Sequence, residues 1–90
     1  MGTIYKVCDD EWEQIMGETQ IREFAISQVH NSPDDFLPEN IDMVEDKERL
    51  TELAEKILNS PNLSPNILTM KEVELILTER CFDIEELNIY

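Results

Sequence analysis

Two amphipathic segments between residues 46 and 82, joined by a proline-marked connection, constrain this chain more than anything else in it. In the first, Leu50, Leu53, Ala54, Ile57 and Leu58 recur at i, i+3, i+4, i+7 and i+8, one apolar stripe of helical period. Asp46 stands where an N-cap belongs. The second segment opens with Thr69-Met70-Lys71-Glu72. That spacing is a capping box, in which the Thr hydroxyl and the Glu carboxylate each satisfy an orphan amide. Val73, Leu75, Ile76, Leu77 and Cys81 follow, apolar on more than one face, as expected of a central helix. The linking Ser60-Pro61-Asn62-Leu63-Ser64-Pro65-Asn66 holds two proline turns, so the helices are expected to pack at an angle rather than as a tight hairpin.

The rest of the chain is read around this pair. Thr3-Ile4-Tyr5-Lys6-Val7 is β-branched and aromatic, which predicts a short strand or an extended arm lying on the helices. Asp9-Asp10-Glu11 suits the first turn of a helix, where carboxylates meet the positive end of the dipole, with Trp12, Ile15 and Met16 on its buried side. Gly17 ends or kinks that helix, and helical spacing resumes at Ile21, Phe24, Ala25 and Gln28 or Val29 through His30. Ser32 and Pro33 predict a stop and a restart, and residues 32–45 read as short helical turns pinned by Phe36, Leu37, Ile41 and Met43. Asp83-Ile84-Glu85-Glu86 is box-like, predicting one terminal helical turn. The expected fold is therefore mostly α: one acidic domain over residues 1–90, a bundle of four or so helices with an N-terminal arm or short strand. Its expected core is Trp12, Phe24, Leu50, Leu53, Ile57, Val73, Ile76 and Leu77.

Charge narrows the function. Twenty-one acidic residues against seven basic ones give −14, and twelve of the acids precede Lys47. Such a field repels nucleic acid and anionic lipid and attracts basic proteins. Direct nucleic-acid binding is not expected, since phosphate contacts need Lys and Arg. No run of apolar residues is long enough to span a bilayer, and the N-terminus lacks the basic and apolar regions of a signal peptide, so the expected address is cytoplasmic.

Catalytic and metal chemistry find little footing. His30 is the only histidine, with no serine or cysteine in a recognised relation to it, and a helix end is its ordinary place. Cys8 and Cys81 form no paired motif and read as reduced, mostly buried thiols. Two cysteines and one histidine fall short of a zinc site, and the acidic run around Asp34-Asp35 and Glu39 lacks the alternation and glycine of a calcium loop. No enzyme activity and no cofactor are expected.

Leu63-Ser64-Pro65-Asn66-Ile67-Leu68, followed by an amphipathic helix ending in Glu79-Arg80, resembles the colicin D type of immunity protein over Leu63 to Arg80. The resemblance implies a small, acidic, helical protein that blocks a transfer-RNA-cleaving toxin with acidic side chains. It carries no particular binding residue onto this chain. Together with the charge, it leads to an inhibitor that neutralises a basic, nucleic-acid-binding partner, most simply a nuclease toxin. The alternatives are a phage-type DNA mimic acting against host defence and a regulatory helical subunit of a larger complex. Carboxylates in two rows on a flat face would fit a mimic, and a cupped acidic patch ringed by aromatics would fit a toxin inhibitor. The expected partner surface is Asp34, Asp35, Phe36, Glu39, Asp42 and Glu45, an all-acidic segment stiffened by proline, with Phe36 and Leu37 as apolar anchors. Asp9, Asp10, Glu11 and Glu13 are next in line.

Overall fold

The computed structural model describes residues 2–41, 47–60 and 62–89. Its elements are β1 (Gly2–Cys8), β2 (Glu13–Gly17), α1 (Glu18–Asn31), α2 (Lys47–Leu58), α3 (Met70–Glu79) and β3 (Asp83–Ile89). Short 3-10 turns occupy Pro33–Phe36 and Pro65–Ile67. The expected helical bundle is thus corrected to a small α+β fold, with three α-helices and a three-stranded antiparallel sheet of order β2-β1-β3 among the described residues.

The strand at the N-terminus is the centre of that sheet, and its two partners are segments that read as helical. Residues 9–12 form a tight turn instead of a helix start. Asp9 Oδ1 accepts from the Glu11 N–H at 2.8 Å, and the Asp9 N–H donates to the Trp12 carbonyl at 2.8 Å. An aspartate bonding the backbone two residues on competes with the first helical turn. The chain then returns as β2, with Met16 inward and Ile15 outward at 47% exposure, the alternation of a strand. β3 carries Asp83, Glu85, Glu86 and Asn88, poor strand formers, between Ile84, Leu87 and Ile89. It is fixed by pairing along the whole of β1 rather than by propensity, from Gly2↔Ile89 to Cys8↔Asp83.

α1 and α3 pack on one face of the sheet, and α2 packs against these two helices and the Pro33–Phe36 turn. Tyr5, Val7 and Met16 from that face join Ile21, Ala25 and Val29 of α1, Leu50, Leu53, Ala54 and Ile57 of α2, and Val73, Leu75, Ile76 and Leu77 of α3. Phe36, Ile41 and Leu68 close the cluster from the connections. The two anchor helices bury Leu50, Leu53, Ala54 and Ile57 and Val73, Leu75, Ile76 and Leu77 as expected. Leu58, expected on the stripe, is instead 39% exposed, and Cys81 lies exposed beyond α3. The capping box of α3 is present in both directions: Thr69 Oγ1 accepts from the Glu72 N–H at 3.2 Å, and Glu72 Oε1 accepts from the Thr69 N–H at 2.9 Å. Gly17 serves as the N-cap of α1. Pro33 begins its 3-10 turn as expected, although the Ser32 side chain makes no capping bond there. Asp46, expected to cap α2, and Met43 lie outside the described residues.

Trp12 and Phe24 are half-buried and pack against the core rather than inside it. Cys8 is half-buried and Cys81 exposed, which corrects the expectation of two buried thiols.

The sheet carries a pH signature. Burial raises the pKa of Tyr5 above its ordinary value of 10.0, and the carboxylates of Glu86 and Glu18 add to the effect against a smaller opposing influence of Arg22. The hydrogen bond and charge of Glu13, and then the charge of Glu85, raise Lys6 above 10.5. Both groups hold their protons longer in the folded state. Their contributions are complete below the unfolded values and are lost as pH rises through the folded ones. The melting temperature is therefore expected to fall above about pH 10, with Tyr5→Phe falling less steeply there than wild type. Identical alkaline profiles for the two proteins would remove Tyr5 from the account.

Candidate functional site

The Asp9–Trp12 turn and the end of α3 meet across an open cleft of about 290 Å³, lined by Asp9, Asp10, Glu11, Arg80 and Cys81. Each wall has a local cause. On one side, the Asp9 turn directs three consecutive carboxylates outward, and Asp9, Asp10 and Glu11 are all exposed. On the other side, α3 stops in a Schellman arrangement. The Cys81 N–H donates to the Thr78 carbonyl at 3.0 Å and the Phe82 N–H to the Leu77 carbonyl at 2.9 Å. Cys81 takes the left-handed position, with φ of 66°, where glycine is usual.

That cost is testable. Cys81→Gly is expected to raise the unfolding free energy by about 0.5–1 kcal/mol, since relief of the left-handed strain exceeds the added freedom of the unfolded chain. A loss of stability in urea titration would mean that the Cys81 side chain itself holds the turn.

Behind the cleft sits an aromatic group. Trp12 and Phe24 stack with centroids 5.4 Å apart, and Phe82 meets both edge-on at 5.9 and 5.3 Å. Trp12 and Phe82 directly follow cleft residues in sequence, so the cluster braces both walls. Offset and edge-on ring pairs of this kind add to the burial of their apolar area.

Arg80 links the cleft to the segment expected to bind. Its guanidinium pairs with the Asp35 carboxylate, and its Nε lies 3.5 Å from Gln28 Oε1. The 3-10 turn at Pro33–Phe36 is thereby tied to the end of α3. Asn40 secures the following turn by donating from Nδ2 to the Asp34 carbonyl at 2.7 Å. Asp34, Asp35 and Glu39 are exposed, and Asp35 is joined to the cleft by its ion pair with Arg80.

Two parts of that set differ. Phe36 is 2% exposed and belongs to the core, because the short 3-10 turn rotates it inward beneath the two aspartates; it is not available as an anchor. Leu37 is the exposed apolar residue of the pair. Asp42 and Glu45 lie outside the described residues. Arg80 and Cys81 were missed as site residues, and no local signal marks them, since Arg80 meets Asp35 only through the packing of α3 against α1.

The arrangement offers exposed carboxylates for a cation and little else. Among the described residues no group of three or more His, Cys, Asp or Glu is gathered as a metal site, and no buried side-chain polar atom lacks a partner. Nor does any helix among them have the length and apolarity to cross a membrane. The chain matches no family model, no curated protein and no solved structure.

Proposed function

We propose that this chain is an acidic protein-binding inhibitor that neutralises a basic, nucleic-acid-binding partner, in the manner of an immunity protein against a nuclease toxin. The supporting observation is the acidic cleft. Asp9, Asp10 and Glu11 stand exposed at its rim, and Asp35, on the exposed turn that also carries Asp34, adjoins it through Arg80. Nucleases hold phosphate with Lys and Arg, so a surface that presents carboxylates on a braced frame can occupy the same side chains. Little ordering is needed on docking, because the turns are already fixed by hydrogen bonds and by the aromatic cluster behind them. The resemblance of Leu63–Arg80 to colicin D-type immunity proteins agrees with this reading, and that stretch forms the 3-10 turn and helix whose end builds one wall of the cleft.

An immunity gene sits directly after its toxin, which gives the test. The product of the gene immediately upstream is purified and its association with this protein measured by stopped flow over a range of sodium chloride. Fast association that slows steeply with added salt is expected, as screening weakens the steering. No association at low ionic strength would defeat the proposal.

A further inference from the structure

The sheet has a second face, and nothing among the described residues covers it. Directly opposed residues in an antiparallel ladder share a face. The register therefore places Ile4 with Gly17 and Leu87, Lys6 with Ile15 and Glu85, and Cys8 with Glu13 and Asp83, all on the side away from the helices. Every one of these residues is exposed or half-exposed, whereas Tyr5, Val7 and Met16 on the other face are buried. A side chain added at Gly17 would meet no atom within 4 Å, so this position opens to solvent.

The open face is divided along the strands. One end is apolar, with Ile4 and Leu87 beside Gly17, and the middle row sets Ile15 and Glu85 on either side of Lys6. The far row carries Glu13 and Asp83 beside Cys8, so three carboxylates face the single Lys6, whose ammonium lies 3.1 Å from Glu13. From Ile4 to Cys8 the strand advances about 13 Å, close to two turns of an α-helix.

We infer that this face docks a basic amphipathic helix of a partner protein, whose apolar residues sit over Ile4, Leu87 and Ile15 while its Lys or Arg residues meet Glu85 one turn on and Glu13 and Asp83 two turns on. A helix fits better than a strand laid across the face, because a helix satisfies its own backbone groups and a strand there would leave its own unpaired. The sign of the charge selects against a second copy of this chain, which would bring the same three carboxylates and a further −14 to the contact. The inference takes the basic partner from the proposed function and assigns it a second contact surface, on the far side of the sheet from the helices.

The test uses a Cys8→Ser, Ile15→Cys variant, so that one thiol lies on the open face and the native Cys81 reports on the cleft. Ile15 is 47% exposed, which makes the substitution compatible with the fold. The probe is a synthetic amphipathic helical peptide of leucine and lysine, with a glutamate-for-lysine version as control. Alkylation of each thiol by iodoacetamide is followed by mass spectrometry at low salt. Position 15 is expected to react severalfold more slowly with the lysine peptide and at an unchanged rate with the glutamate peptide. Adding Glu13→Lys and Glu85→Lys should restore the free rate. Slowing at Cys81 alone would overturn the docking face and leave the basic-partner reading standing. Slowing at neither thiol would count against both.

Discussion

Leu77→Ala is expected to lower the unfolding free energy by about 2–5 kcal/mol, the range for emptying a fully buried leucine site. Leu77 is 0% exposed and lies on α3, which packs against α1, α2 and β3. Its carbonyl also receives the Phe82 N–H that closes the helix and starts β3. A domain of this size has a total stability of about 5–13 kcal/mol, so the variant loses a large share of it. Ile15→Ala, on the open face, is expected to stay within about 0.5 kcal/mol of wild type. Both are read from urea midpoints at constant slope. Equal effects at the two sites would contradict the two-layer arrangement, in which only one side of the sheet is packed.

The second large effect concerns association. Asp10→Lys with Asp34→Lys replaces one exposed carboxylate on the cleft rim and one on the adjoining turn. It spares Asp9, whose side chain holds its own turn, and Asp35, which pairs with Arg80. Binding to a basic partner should slow about tenfold or more at low salt, because steering can raise association rates by orders of magnitude. Wild type and variant should converge as added salt shortens the screening length. A variant that associates at the wild-type rate at every salt concentration would remove the cleft from the interface.

Much of the helical layer was legible from local pattern. The stripe from Leu50 to Ile57 and the Thr69–Glu72 box are signals that lie within one element, and the structure keeps both. The sheet was not legible for a physical reason. β2 has five residues and one buried side chain, too few for a period of two to outweigh the helical reading of Trp12, Ile15 and Met16. β3 has weak strand propensity and is held by non-local pairing with the opposite end of the chain. In the candidate site, the exposure of Asp34, Asp35 and Glu39 followed from their proline-bounded acidic segment, and Asp9, Asp10 and Glu11 were visible as an acidic run. What joins the two groups is Arg80, separated from Asp35 by 45 positions, and only tertiary packing makes that link. Phe36 failed as an anchor because hydrophobicity alone does not tell a core residue from an interface residue.

The most direct test of the central claim is a nuclease titration. The product of the gene immediately upstream, the nuclease toxin of the proposal, is given transfer RNA at low salt, and cleavage is followed as this protein is added. Cleavage should stop at a stoichiometric amount of the wild-type chain and resume when salt is raised or when the Asp10→Lys, Asp34→Lys variant replaces it. Undiminished cleavage in the presence of a large excess of the wild-type protein would contradict the account.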